Sequence, residues 1–167
     1  MKKPSAGLLV FKTSGSGQLE VLLAHPGGPF WAGKDLGAWS LPKGEYEPSE
    51  QPFTAAQREF HEEIGQAAPE GDYLDLGEFK RSDGKLISAW AVTGDIDVSK
   101  LVSNSFELEW PPHSGNKQAF PEVDRAEWFT LTEAATKLSN GQNIFLTRLA
   151  EKLGIEPPIP VEQPKLL

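Results

Sequence analysis

No cysteine occurs anywhere in the 167 residues. That absence excludes a disulfide framework, a thiolate nucleophile and a cysteine-rich zinc site. Positive charge is also scarce: 16 Lys and Arg stand against 24 Asp and Glu, a formal net charge of −8. Sequence-independent binding of a nucleic-acid polymer relies on basic surface to neutralise phosphates, so that class of partner is set aside. A small phosphorylated ligand would instead have to be met by metal and a few local cations. No apolar run approaches the roughly 20 residues that cross a bilayer. The stretch Ala6 to Phe11 follows a basic start and superficially resembles a signal peptide. It is too short, Lys12 interrupts it, and no small-residue cleavage site follows. The expectation is a cytoplasmic protein without a membrane partner. No internal repeat is present, and the length fits one domain able to bury a core.

What the sequence does contain is concentrated in residues 44–66, GEYEPSEQPFTAAQREFHEEIGQ. Gly44, Glu50, Arg58, Glu59, Glu62, Glu63 and Gly65 form the pattern G, five residues, E, seven residues, R-E-x-x-E-E-x-G. At roughly 7% per residue type, seven specified positions match by accident on the order of once in a hundred million windows. The segment Pro52 to Ile64 predicts a helix, with proline at its start and Gly65 as a left-handed cap just past its end. Phe53, Ala56, Phe60 and Ile64 form one apolar stripe, and Glu59, Glu62 and Glu63 a neighbouring acidic one. Like charges within one turn repel by a few tenths of a kcal/mol per pair. Arg58, at i,i+4 to Glu62, relieves part of this. A hard cation relieves it better, because Mg²⁺ takes oxygen ligands and keeps positions for substrate phosphates. The ordinary alternative is a solvated acidic face laced with ion pairs; the register of Gly44, Glu50, Arg58 and Gly65 argues against it. The metal reading fails if the carboxyl groups lie too far apart to share an ion.

The run resembles the Nudix box of the Nudix hydrolase superfamily, and the surrounding chain is similar to bacterial nucleoside-polyphosphate pyrophosphohydrolases of that group. The resemblance implies an α/β fold, an α/β/α sandwich with a mixed sheet between helices. It implies that Glu59, Glu62 and Glu63 bind Mg²⁺ or Mn²⁺, with the backbone carbonyl of Lys43 completing the shell. Arg58 and Glu50 would brace the loop and helix. Gln66 departs from the family pattern, which usually has an aliphatic residue there; the change touches packing at the helix exit, not the ligands. Nudix-fold isoprenoid isomerases use a catalytic cysteine, which this chain lacks. Glu122 lies six residues before Trp128, a spacing at which some Nudix pyrophosphohydrolases carry another metal-binding glutamate. A surface acid is the equal alternative. Asp124 and Glu127 are weaker candidates.

Around the box, Ser5 to Lys12 and Leu19 to His25 read as strands, followed by a short strand at Trp39 to Leu41. Leu74 to Arg81 and Leu86 to Val92 flank Ser82-Asp83-Gly84 as a hairpin. Ser105 to Trp110 reads as extended, Trp110 to Phe120 as irregular, and Glu127 to Leu131 as the last strand. Thr132 to Leu138 predicts a helix without a full capping box, and Asn143 to Leu153 one that stops at Gly154. Residues 1–155 are read as one Nudix hydrolase domain and 156–167 as a proline-rich tail. The loop Pro26 to Ala38 is long for a connector. Phe30, Trp31 and Trp39 could stack on a nucleobase, a contact that contributes about 1–3 kcal/mol, and Lys34 could reach a phosphate; aromatics pinned onto the core are the alternative. His61 is assigned no role.

The mechanism expected from charge is metal-assisted attack of water on phosphorus. Glu59 is the first choice for the proton acceptor, with Glu62 or Glu122 as alternatives, and Lys43 meets a phosphate. The substrate expected is a dinucleoside polyphosphate or nucleoside triphosphate, because WSLPKGEYEPSE resembles the W-x-x-P-K-G opening of dinucleoside-polyphosphate and diphosphoinositol hydrolases. The proline or tyrosine that marks other subfamilies is missing at Arg81 to Gly84. An ADP-ribose or nucleotide-sugar hydrolase is the runner-up, and a nucleotide sensor without catalysis a third reading. The protein is expected to be a monomer or homodimer.

Overall fold

The computed structural model describes residues 2–139 and 141–158. The proline-rich segment beyond 158 lies outside the described residues. Strand β1 (Ser5–Thr13) is flanked by β2 (Leu19–Pro26) and β5 (Leu86–Thr93). Its first six residues, SAGLLV, are buried on both faces, which is how a central strand covered by two layers reads in sequence. The sheet order is β4-β5-β1-β2-β8, with β4 at Leu74–Lys80 and β8 at Val123–Thr130; the short β3 (Lys43–Glu45) also pairs with β1. β1 and β5 run parallel, and the other pairings are antiparallel.

Helix α1 (Pro52–Ile64) covers one face, where Ala55, Ala56, Phe60 and Ile64 meet Ala6, Leu8 and Val10. α2 (Leu131–Lys137) and α3 (Asn143–Leu153) cover the other, where Phe145, Leu146 and Leu149 meet Leu9, Ile87 and Ala89. This is the α/β/α sandwich expected. α1 starts with Pro52 and ends at Gly65, whose φ of 79° is left-handed and whose N–H donates to the His61 carbonyl at 2.8 Å.

Four local expectations need correction, the simplest being that the last strand, read at Glu127 to Leu131, spans Val123–Thr130. The strand read at Trp39 to Leu41 consists only of isolated bridges at Trp39 and Ser40, and the paired segment is Lys43–Glu45. Pro42 has no N–H to continue a ladder, so the chain leaves β2 and resumes pairing on β1. A second strand, β7 (Lys117–Pro121), pairs with β6 (Ser105–Glu109) in a hairpin apart from the main sheet. It was hidden because KQAFP is short, polar and ends in proline. Finally, α2 begins one residue earlier than read and does carry a capping box: Thr130 Oγ1 accepts from the Glu133 N–H while Glu133 accepts from the Thr130 N–H. Thr130→Ala is therefore expected to lower unfolding free energy by about 1 kcal/mol. Denaturant titration checks this; an unchanged midpoint contradicts it.

Candidate metal and phosphate site

The box converges because β3 docks on β1 and delivers the chain directly under α1. Gly44 sits opposite Ala6, on the face that α1 covers. A Cβ built on Gly44 would lie 1.9 Å from Glu59 Oε2 and 2.0 Å from its Cδ. Only glycine lets the Glu59 carboxyl rest there. Arg58 grips Glu50 with two hydrogen bonds of 2.8 Å each, from Nε and Nη2. Its Nη1 donates to Glu59 Oε1 at 2.7 Å and to Glu62 Oε2 at 3.1 Å. Such a planar fork is geometry that lysine cannot reproduce. The Arg58 guanidinium draws the Glu50 carboxyl below the usual range, and these contacts tie the loop before α1 to the helix.

Glu63 turns the other way and accepts the Lys43 backbone N–H at 3.1 Å. In an antiparallel strand a residue's N–H and C=O share a side, so the Lys43 carbonyl faces the same space. That space is a cavity of about 450 Å³ lined by Lys43, Glu59, Glu62, Glu63 and Glu122, with Ser5, Lys85, Asn104 and Ser105 around them. Glu122 thus joins the box acids, carried there by the turn between β7 and β8. Asp124 lies outside the cavity wall and instead accepts from buried His25 at 2.8 Å; Glu127 is also outside it.

Burial pushes the Glu63 carboxyl up to about 8, against the opposing pull of Lys43. Burial likewise raises Glu59 and Glu122 and lowers the Lys43 ammonium. A carboxyl raised in this way is short of compensating positive charge. The donors are carboxylate and carbonyl oxygens, the set that suits a hard divalent cation. Their present rotamers are not a finished cage: among the described residues, no three acidic or histidine side chains stand close enough to hold one ion. Arg58 explains this, since its Nη1 occupies Glu59 and Glu62, while Glu63 is held by Lys43. The condition set by the sequence is not met as these side chains stand. The acids share one cavity, and closing on an ion requires side-chain rotation.

The aromatic loop is placed differently. Trp39, 1% exposed, is a core residue whose Nε1 donates to Asp35 at 2.8 Å and whose ring meets Phe129 edge-on. It cannot stack on a base. Trp31 is 40% exposed and Lys34 Nζ lies 5.0 Å from its ring, but neither lines the cavity. Ser5, Lys85, Asn104 and Ser105 were missed, because their approach depends on strand pairing rather than on any local pattern.

A NUDIX domain model matches residues 1–149. The chain belongs to the Nudix family. Nudix hydrolases generally use divalent metal ions, and this Nudix chain is a pyrophosphohydrolase. Among solved structures, it is similar to the NUDIX domain of Shewanella oneidensis NrtR complexed with ADP ribose. There the TM-score is 0.62 and the identity 16%, over 92% of this chain and 89% of that one. It is also similar to a C. elegans Ap4A hydrolase binary complex, with TM-score 0.60 and 19% identity over 90% and 99% of the two chains. A third is RenU, a Nudix hydrolase from M. smegmatis, with TM-score 0.57 and 22% identity over 94% and 89%. At these identities the likeness is one of fold. Comparison with curated proteins finds no match. No helix among the described residues is long and apolar enough to cross a membrane.

The raised Glu63 links metal to pH. Its native carboxyl holds a proton that the unfolded chain releases, so metal-free stability falls as pH rises from about 4.5 to about 8. A cation must displace that proton. The Mg²⁺-induced gain in Tm is therefore expected to be at least about twofold larger at about pH 8.5 than at about pH 6. Thermal melts across that range test this, and a pH-independent gain refutes it.

Proposed function

We propose that this Nudix protein is an Mg²⁺- or Mn²⁺-dependent pyrophosphohydrolase of nucleoside polyphosphates, acting on a dinucleoside polyphosphate or a nucleoside triphosphate. The observation that carries this reading is a single cavity lined by Glu59, Glu62, Glu63 and Glu122 together with Lys43. Glu59, Glu62, Glu63, Glu122 and the Lys43 carbonyl are assigned to the ion. When bound, it neutralises phosphate charge and makes water a better nucleophile. Glu59 accepts the proton of the attacking water, with Glu62 or Glu122 as the alternative acceptor. The Lys43 ammonium meets a substrate phosphate. Arg58 positions Glu59 and Glu62 and is itself held by Glu50.

A small nucleotide is the partner, and the chain acts as a monomer or homodimer in the cytoplasm. ADP-ribose is a second candidate substrate, supported by the complex of the Shewanella oneidensis relative. A mass-spectrometric screen of nucleotides with and without Mg²⁺ ranks these. Release of phosphate or nucleoside monophosphate only with metal supports hydrolysis; tight binding without product supports a sensor.

A further inference from the structure

The turn that carries Glu122 into the cavity is held by a segment to which the chemistry gives no part. Helix α1 ends at Ile64, so its last carbonyls need donors from outside the helix. Residues 102–104 supply two of them. The Val102 N–H donates to the Ile64 carbonyl at 3.1 Å, and the Asn104 N–H to the Glu62 carbonyl at 2.9 Å. A Cβ on Gly65 would lie 2.4 Å from the Val102 carbonyl oxygen, so the glycine that closes the box also admits this segment. The segment is thereby fixed to the helix that carries Glu59, Glu62 and Glu63.

Its other side holds Glu122. The Glu122 N–H donates to the Asn104 carbonyl at 2.7 Å, while the Gly27 N–H donates to the Glu122 carbonyl at 2.9 Å. Just beyond, the ladder between β2 and β8 is irregular: His25 pairs with Arg125 and Pro26 with Val123, which leaves Asp124 as an extra residue. Val123 is buried, and a buried N–H needs an acceptor. Here the acceptor is a side chain, Ser103 Oγ, at 3.0 Å. The same hydroxyl donates to the Asn104 carbonyl at 3.0 Å. One oxygen therefore joins the residue after Glu122 to the carbonyl that the Glu122 N–H binds.

We propose that Ser103 is a positioning residue, whose hydroxyl fixes the backbone around Glu122 so that its carboxyl is presented to the acids of α1. The proposal rests on the assignment of Glu122 to the ion and deepens it. Ser103 does not line the cavity, so any effect it has on the ion passes through Glu122. Without the hydroxyl the Val123 N–H is left unpaired, a cost that the turn relieves by moving toward water.

The test is a double-mutant cycle read by binding of Mn²⁺ alone, with free Mn²⁺ followed by electron paramagnetic resonance. Glu122→Gln is expected to bind Mn²⁺ about tenfold more weakly than wild type. Ser103→Ala is expected to bind it about fivefold more weakly, and Ser103→Thr, which keeps the hydroxyl, within about twofold of wild type. In the Glu122→Gln background, Ser103→Ala is expected to cost nothing further, because it acts through that carboxylate. A serine that served only folding would cost the same factor in both backgrounds, and that result overturns the proposal. So does wild-type affinity in Ser103→Ala beside a weakened Glu122→Gln. If Ser103→Ala fails to fold, Ser103→Val against Ser103→Thr decides, since the two share a shape and differ in the hydroxyl. Failure of the underlying reading looks different: Glu122→Gln would bind Mn²⁺ as wild type does. Amide hydrogen exchange then judges Ser103 on its own. Faster exchange at Glu122 and Val123 in Ser103→Ala keeps the positioning role, and unchanged exchange removes it.

Discussion

Glu63→Gln is expected to lower kcat by about 10³-fold or more while leaving the fold in place, a loss of roughly 4 kcal/mol in transition-state stabilisation. Three observations lead there. Glu63 is the box acid with its carboxyl raised to about 8 by burial, so it is the acid most in need of a cation. It lines the cavity with the other candidates. Its one hydrogen bond, from the Lys43 N–H at 3.1 Å, can be kept by the glutamine carbonyl. Glutamine matches its shape and removes the charge that attracts metal. Because the buried charge is itself unfavourable, the metal-free variant is expected to melt no lower than wild type at about pH 8. Steady-state nucleotide hydrolysis with circular dichroism decides the matter. Activity within about tenfold of wild type, in a folded sample, would defeat the assignment of Glu63 to the metal.

The second large effect comes from a residue with no functional group. Gly44→Ala places a methyl within 2.0 Å of the Glu59 carboxyl carbon. Something has to move, and the far end of a flexible side chain moves more easily than β3 or α1. Glu59 is expected to swing out, losing its contact with Arg58 and its place in the cavity. Mispositioning of this kind costs about 10²-fold in kcat. Unfolding free energy is expected to change by no more than about 1 kcal/mol, since neither core cluster is entered. Hydrolysis assays and denaturant titration separate the two quantities. A loss of stability without a loss of kcat would show that the glycine serves folding alone.

The box was legible because its chemistry is local. One helix carries Glu59, Glu62 and Glu63 within five residues, and the proline and glycine at its ends punctuate it in a way the fold reproduces. The two outer helices and the β4–β5 hairpin were readable for similar reasons of periodicity and turn chemistry. The misread elements depend on distant partners. Pro42 redirects pairing from β2 to β1, which no local propensity encodes. β7 is a strand only because β6 lies beside it. Trp39 shows the same limit from the other side: an aromatic in a glycine-rich loop looks available, and only the packing of Phe129 and His25 around it reveals a core position. The cavity wall of Ser5 and Lys85 was invisible because parallel pairing of β1 with β5 brings together residues some eighty positions apart.

Arg58 has a consequence for how the protein tolerates depletion. A guanidinium stays charged at any ordinary pH, and this one is covalently part of the chain, so a chelator cannot strip it away. It partly balances Glu50, Glu59 and Glu62 whatever the solution holds. The fold is therefore expected to survive loss of the ion at a lower melting temperature, and a sample treated with EDTA is a rechargeable form of the same molecule.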